Sequence, residues 1–284
     1  MKEKIGLLCE GGGTKGAYTS GVLQCFLDNN IRFPYCVGIS AGAVSLVPYV
    51  SNQRERLRVI GVESACRKEA VGLSPMLHER AVFGIESTYN YIEEQEPLDY
   101  EAFMKSSTEF DIGLYNCDTG AIEYFGKEYH DHDGILIKAA CALLLLTSPL
   151  KFNGGTYMDG GLIDMIPIEQ SIRQGNSKHV FISTKEENYV RKAAPKWQQI
   201  LAWINYPTKK FVRDDLKKRH ENYAKQWKIV KELEDQGKAI VLRPSRDMGV
   251  TRYTQDRDLL NRWFDLGYQD TLDRMDMILN FVNE

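Results

Sequence analysis

The stretch that decides the fold is IGLLCEGGGTKG at residues 5–16, which is followed at residues 17–26 by apolar side chains at helical spacing. A short apolar run that ends in glycines and opens into such a segment is typical of a buried strand, a tight turn and a helix. Glycines let the chain turn sharply and expose amide groups to an anion, and the helix adds the positive end of its dipole. The stretch therefore predicts a strand–loop–helix unit that can bind phosphate or stabilise an oxyanion.

Similar units continue along the first half of the chain. Residues 33–38 form a second apolar run, and a helix of small residues is predicted from Ala41. Further elements are predicted as a hairpin at residues 110–115 and 122–125, a buried helix at residues 135–146 and an inner strand at residues 180–183. Strands that alternate with helices predict an α/β fold with a mostly parallel central sheet flanked by helices.

The composition changes near Lys185. The chain is then amphipathic and helical as far as Lys231, with apolar residues near a 3.6-residue period, and a short strand is predicted at residues 239–242. A last helical pair is predicted at residues 256–266 and 268–281. We therefore expect an α/β unit at residues 1–185 and a mainly helical extension at residues 186–284.

The overall composition excludes several classes of protein. With 284 residues, 43% hydrophobic and 26% charged, the chain fits a globular protein rather than a disordered or low-complexity one. The 36 basic and 39 acidic residues give a net charge of −3, which offers no reason to expect a nucleic-acid partner. The six cysteines form no CxxC pair, so no metal site is expected. The longest wholly apolar stretch, residues 139–146, is far shorter than the about 20 residues of a membrane span, and we expect a cytoplasmic protein without a signal peptide.

A second motif, Gly38-Ile39-Ser40-Ala41-Gly42, matches G-x-S-x-G at the end of a predicted strand and the start of a helix. In this context a serine stands on a strained elbow with its hydroxyl exposed, as nucleophilic catalysis requires. The alternative is a tight turn in which Ser40 only caps the helix. A nearby run of free amides favours the nucleophile, because acyl transfer needs an oxyanion site as well.

The glycine run also satisfies GxGxxG through Gly11, Gly13 and Gly16, a pattern of dinucleotide-binding folds. Such a site needs an acidic residue about 20 positions on to bind the ribose. No Asp or Glu occurs between Asp28 and Glu55. No nucleotide cofactor is therefore expected.

A serine hydroxyl needs a base, and the sequence offers two kinds. None of the five histidines stands in an obvious catalytic context, and the chain order of α/β-hydrolases would admit only His179 or His220. The carboxylate alternative is Asp159, which precedes Gly160 and Gly161 at a predicted strand end and could accept the proton directly. By itself Asp-Gly-Gly is only a turn signal.

Taken together and in this order, EGGGTKG at residues 10–16, GISAG at residues 38–42 and DGG at residues 159–161 resemble the motifs of the patatin-like phospholipase family. The resemblance spans about residues 5–183. It implies a three-layer α/β/α fold, Ser40 as nucleophile, Asp159 as general base and acid, and an oxyanion hole at Gly11, Gly12 and Gly13. It also implies a supporting role for Lys15, Gly16, Gly38, Gly42, Gly160 and Gly161.

Other segments qualify the resemblance. RHENY at residues 219–223 and RPS at residues 243–245 look like the helical C-terminal extension of a bacterial subgroup. Glu10 leads the glycine run where the family commonly has Asp, and Cys141 stands near a position where the family often has serine. Because Cys141 replaces that serine, we expect the wall of the pocket to have a different shape from that of the family.

The resemblance implies a serine acyl hydrolase that cleaves carboxyl-ester bonds of lipids, with no metal and no cofactor. The alternative is a non-catalytic lipid-binding or regulatory protein that retains the fold. Residues 208–231 carry nine Lys or Arg against three Asp or Glu, so a basic helix could contact an anionic inner membrane surface or simply be a solvated face. Trp197, Trp203 and Tyr206 are either interfacial anchors or core residues.

Overall fold

The computed structural model describes residues 4–283. Residues 1–3 and 284, which the predicted domain boundaries include, lie outside this part. Within the described part of the chain, eight strands form one sheet, and their bounds are β1 Ile5–Cys9, β2 Tyr35–Gly38, β3 Glu109–Asn116, β4 Ile122–Phe125, β5 Leu150–Phe152, β6 Gly155–Asp159, β7 Lys178–Ile182 and β8 Ala239–Leu242.

The sheet runs in the order β5-β6-β3-β2-β1-β7-β8, and β4 pairs with β3. The pairs of β1 with β2 and β7, of β2 with β3, and of β7 with β8 are parallel. The strands β4, β5 and β6 form antiparallel pairs at one end of the sheet. In the parallel part, Cys9 is the register partner of both Gly38 and Ile182, so the loops that follow these three residues leave the same edge.

In the described residues 4–283, twelve α-helices surround the sheet. Their bounds are α1 Gly16–Asp28, α2 Ala41–Val50, α3 Arg54–Arg58, α4 Leu73–His78, α5 Ile85–Gln95, α6 Tyr100–Lys105, α7 Ile135–Ala140, α8 Ile168–Arg173, α9 Lys196–Asn205, α10 Lys210–Asp235, α11 Arg257–Leu272 and α12 Met275–Asn283. Short helical turns add Gly13–Lys15, Val59–Glu63, Ser64–Cys66, Lys127–Tyr129 and Gly160–Leu162.

The inner strands are apolar on both faces because each face is covered by helices. Leu7 and Val180 belong to a core shared with α1, α2 and α11, whereas their neighbours Leu8 and Phe181 point to a second core shared with α8 and α10. This alternation with a period of two places the sheet between two helical layers. The predicted α/β fold, with a mostly parallel sheet flanked by helices and a helical C-terminal region, is confirmed.

The C-terminal region packs directly on the rest of the chain. Strand β8 extends the sheet beside β7, and α11 crosses α1 at very short range. A Cβ on Gly21 would lie 1.9 Å from the carbonyl oxygen of Phe264, and one on Gly267 would lie 2.2 Å from that of Tyr18. The two glycines therefore allow the helix backbones to touch. The division into residues 1–185 and 186–284 stays a prediction.

Two predicted elements differ from the structure. The helix predicted at residues 135–146 ends at Ala140, and the apolar residues beyond it form turns in which Leu145 has a φ of 68°. In the last helical pair the break falls after Leu272 rather than at Gly267, because Gly267 serves helix packing and not a turn. Within residues 4–283, no helix combines the length and hydropathy needed to cross a lipid bilayer.

Candidate active site

Ser40 stands at the turn between β2 and α2, with a backbone φ of 55° and ψ of −133°. A positive φ is uncommon for a residue with a side chain, and such strain is held mainly at functional positions. The turn is also tightly packed: a Cβ on Gly38 would lie 2.5 Å from the Cα of Ala43, and one on Gly42 would lie 2.4 Å from the carbonyl oxygen of Cys9. Packing thus fixes the serine at the carboxyl edge of the sheet, where it lines a cavity.

Asp159 is the last residue of β6 and lines the same cavity as Ser40. The amide of Gly161 donates to the Oδ1 of Asp159 at 2.7 Å, and the Ser40 hydroxyl lies close enough to lower the pKa of the carboxyl. Burial raises the pKa of Asp159 above the usual value, while the Ser40 hydroxyl, the Gly161 amide and the positive charge of Arg219 act to lower it. The arrangement joins a hydroxyl to a buried carboxylate that has its own supporting donors.

The glycine run lies against the serine. A Cβ on Gly11 would lie 2.6 Å from the Cβ of Ser40 and 3.3 Å from its Oγ. Gly13 has a φ of 58°, in the left-handed region that favours glycine. Within residues 4–283, no group accepts a hydrogen bond from the amides of Gly11, Gly12 or Gly13. Main-chain donors beside the hydroxyl are thus free to bind an anion.

Glu10 anchors the start of the glycine run. Its Oε1 accepts hydrogen bonds from the hydroxyl of Ser183 and the amide of Thr184, both at 2.7 Å, and lies 3.4 Å from the Nζ of Lys185. Its Oε2 accepts from the Tyr223 hydroxyl of α10 at 3.4 Å. The carboxylate is buried and ties the loop after β1 to the end of β7 and to the C-terminal region.

Ser40 lines two cavities at once, together with Gly13 and Leu143. One, of about 190 Å³, is polar and contains the carboxylate of Asp159 and the glycine run. The other, of about 160 Å³, is apolar, and among its lining residues are Val44, Ile60, Val71, Phe83, Ile92, Ile137 and Cys141. The site can therefore hold a molecule with one apolar end and one polar end, and Cys141 forms part of the apolar wall.

The five histidines, all within the described residues, line neither cavity. His130 packs against Phe103, and burial lowers its pKa to about 4. His179 shares a hydrogen bond of 2.9 Å with Ser171, and burial likewise lowers its pKa to about 4. Among residues 4–283, no cluster of His, Cys, Asp and Glu side chains is arranged to hold a metal ion.

The residues predicted from the sequence lie close together. Ser40, Asp159, Gly161, Lys15 and the glycine run line the polar cavity, and Gly16 lines the apolar one. The remaining predicted glycines, Gly38, Gly42 and Gly160, pack against backbone beneath these residues.

Several other polar side chains of the site were not predicted from the sequence. Lys185, Arg191, Arg219 and Arg252 also line the polar cavity. Arg219 belongs to the RHENY segment that the sequence marked as part of the extension, but nothing local indicated that its guanidinium would reach the site.

Two family models match the chain in separate parts. The model described as patatin-like phospholipase matches residues 7–172. The chain belongs to the patatin-like phospholipase family. A second model, described as a domain of unknown function, matches residues 210–283. Membership in the first family makes the chain a member of a lipid hydrolase family, and the predicted resemblance is confirmed.

Individual relatives are more distant. The uncharacterized protein YjjU of Escherichia coli (strain K12) is 27% identical over 188 residues, which cover 64% of this chain and 52% of that protein. The chain thus spans about half the length of this curated relative. The crystal structure of VipD from Legionella pneumophila aligns with 98% of this chain and 67% of its own chain, with a TM-score of 0.52 and 13% identity, and shows a shared fold.

Proposed function

We propose that this patatin-like protein is a serine acyl hydrolase that cleaves carboxyl-ester bonds of lipids through Ser40 and Asp159. The observation that carries the proposal is that the strained serine and the buried carboxylate line one cavity together with the glycine run. Ser40 is the nucleophile, Asp159 the general base and acid, and the amides of Gly11, Gly12 and Gly13 form the oxyanion hole.

In the acylation half-reaction, the Ser40 oxygen attacks the ester carbonyl carbon, and its proton passes to the carboxylate of Asp159. The carbonyl oxygen becomes an oxyanion that accepts hydrogen bonds from the glycine amides. Loss of one such donor raises the barrier by about 3 kcal/mol in comparable sites. As the tetrahedral intermediate collapses, the alcohol leaves with the proton from Asp159, and the acyl group remains bound to the serine.

In the deacylation half-reaction, water attacks the acyl-enzyme and gives its proton to Asp159. The second tetrahedral intermediate uses the same oxyanion hole. Its collapse breaks the bond to the Ser40 oxygen, which takes the proton back from Asp159, and the fatty acid leaves. The dyad returns to its starting state without a histidine.

The apolar cavity is the proposed acyl-chain site. It opens at Ser40 and is lined mainly by aliphatic and aromatic side chains, so binding an acyl chain there removes apolar surface from water on both partners. A chain in this cavity would place its ester group at the serine and the alcohol part of the substrate in the polar cavity.

The test is hydrolysis of a short, neutral p-nitrophenyl ester. Ser40→Ala and Asp159→Asn should each lower kcat/KM by a factor on the order of 10³ or more, because the dyad acts as a unit. The exposed Ser107 offers a matched control, since Ser107→Ala should keep wild-type activity. Circular dichroism checks that each variant is folded. Wild-type turnover in folded Ser40→Ala would overturn the proposal and favour a lipid-binding role.

We further propose that the protein contacts a lipid surface through α9 rather than through the basic helix α10. The apolar stripe of α10 is buried, whereas the large apolar side chains of α9 are exposed: Trp197 by 58%, Ile200 by 60%, Trp203 by 64% and Ile204 by 59%. Tyr206, by contrast, is buried. Tryptophan and aliphatic side chains on one helix face, with Lys196, Lys209 and Lys210 nearby, suit the boundary between headgroups and acyl chains.

A further inference from the structure

The polar cavity beside Ser40 holds more positive than negative charge. Five cationic side chains line it, Lys15, Lys185, Arg191, Arg219 and Arg252, against the two carboxylates of Glu10 and Asp159. Lys185 has an acidic partner, Glu10, at 3.4 Å. The other four form no ion pair within 4.0 Å of an acidic group in residues 4–283.

Without a bound anion, the neighbouring positive charges in this cavity repel one another. Burial and the neighbouring charges of Arg191 and Arg252 lower the pKa of Arg219 to about 9, and burial lowers that of Lys185 to about 8. The Nε of Arg191 is buried and has no hydrogen-bond partner, although its guanidinium lies 4.9 Å from the ring centre of Tyr223. A buried donor without an acceptor is costly, and a bound anion would satisfy it.

The arginines come from the C-terminal part of the chain. Arg191 lies in the segment before α9, Arg219 lies on α10, and Arg252 lies in the loop after β8, all outside the matched patatin-like residues 7–172. Arg219 donates from Nε to the carbonyl oxygen of Gly161 at 2.7 Å. The carbonyl oxygen of Arg252 accepts from the amide of Thr14 at 3.3 Å. The C-terminal region thus forms hydrogen bonds both to the turn after Asp159 and to the loop that contains the glycine run.

We propose that this cationic cavity is an anion subsite that binds the phosphate of an anionic ester lipid, and that the C-terminal region supplies its arginines. The inference rests on the proposed function, because Ser40 lines both cavities and fixes the ester between them. An acyl chain in the apolar cavity places the rest of a glycerophospholipid on the cationic side. A guanidinium group can donate two parallel hydrogen bonds to one phosphate, and three arginines line this cavity.

The experiment compares two lysophospholipids with the same acyl chain, anionic lysophosphatidylglycerol and zwitterionic lysophosphatidylcholine. Both are used below their critical micelle concentrations, so that surface binding does not contribute, and at low ionic strength, since salt screens charges. The wild type should prefer the anionic lipid by about tenfold in kcat/KM, and Arg191→Gln/Arg252→Gln should lower this preference by about the same factor. The exposed Arg246 provides the control, because Arg246→Gln should leave the preference unchanged.

A second measurement needs no turnover and separates a headgroup site from a site for free phosphate. Inorganic phosphate should raise the Tm of the Ser40→Ala protein more than chloride of equal ionic strength, and the arginine double variant should abolish the difference. Phosphate stabilisation without a preference for the anionic lipid would overturn the headgroup assignment. Equal turnover of both lipids without phosphate stabilisation would overturn the subsite altogether. Loss of all ester hydrolysis, with phosphate stabilisation retained, would instead contradict the proposed function and leave the anion site standing.

Discussion

At the scale of single residues, the charge of Asp159 depends on its neighbours. Burial raises the pKa of this carboxyl, and the guanidinium of Arg219 opposes the shift. Removing Arg219 should therefore raise the pKa of Asp159 further. The proposed base would then be protonated, and inactive, at a higher pH than in the wild type.

We predict that Arg219→Gln moves the acidic limb of the kcat/KM profile for a neutral p-nitrophenyl ester to higher pH. The same limb in Lys217→Gln, an exposed position of α10, should match the wild type. An unmoved limb in Arg219→Gln would show that this charge does not act on the base.

A second buried carboxyl, Asp164, affects stability rather than the reaction. It accepts hydrogen bonds from Tyr124 and, at 3.0 Å, from Gln226, and burial raises its pKa to about 7. Between about pH 4 and pH 7 the folded protein therefore binds this proton more tightly than the unfolded chain does. The contribution of Asp164 to stability is thus lost progressively as the pH rises through this window.

Asp164→Asn removes this titration. From pH 5 to pH 8 the free energy of unfolding of the variant should rise relative to that of the wild type by roughly 1–3 kcal/mol. Urea unfolding followed by circular dichroism at each pH measures this difference. The exposed Asp235→Asn should show no such trend, and a pH-independent difference for Asp164→Asn would contradict the assignment.

At the scale of elements, the contact between α1 and α11 joins the C-terminal region to the patatin-like part. It depends on Gly21 and Gly267, where a Cβ would meet backbone of the facing helix at 1.9 and 2.2 Å. Gly267→Ala should therefore lower the free energy of unfolding by about 2 kcal/mol, although alanine favours helices over glycine. Arg262→Ala, on the exposed face of α11, should change it little. A stabilised Gly267→Ala protein would mean that the helices do not pack so closely.

The elements that the sequence predicted well are those decided locally. The glycine run, the serine elbow and the β3–β4 hairpin depend on residues adjacent in the chain, and each lies where its motif indicates. The helix predicted at residues 135–146 was too long because its apolar run favours a helix, whereas the fold needs a turn. In that turn the carbonyl oxygen of Ala142 accepts from the amide of Asp159 at 2.9 Å. Such a distant hydrogen bond has no signal in the local sequence.

At the scale of the whole molecule, the sequence likewise predicts only those residues of the site that belong to a local motif. The serine and the aspartate carry motifs, and their proximity could be expected from the family resemblance. The arginines at residues 191, 219 and 252 carry none, because tertiary packing alone brings them beside Ser40. The sequence also did not decide whether Trp197 and Trp203 are exposed or buried, because an amphipathic pattern does not show which face of a helix is covered. In the structure both are exposed.

The lipid-surface proposal predicts that the protein floats with liposomes. Trp197→Ser/Trp203→Ser should lower the bound fraction several-fold, because each exposed tryptophan that enters the interface removes apolar surface from water. Leu272→Ser/Leu279→Ser, at exposed positions of α11 and α12, provides a matched loss of apolar surface and should not change binding. Equal flotation of both double variants would exclude α9 as the contact.

The most direct test of the central claim is covalent labelling with a fluorophosphonate, which reacts with an activated serine, followed by mass spectrometry of the peptides. We predict a single adduct on Ser40 in the wild type, much slower labelling in Asp159→Asn and none in Ser40→Ala. An unlabelled wild-type protein, or an adduct on a different serine, would contradict the account.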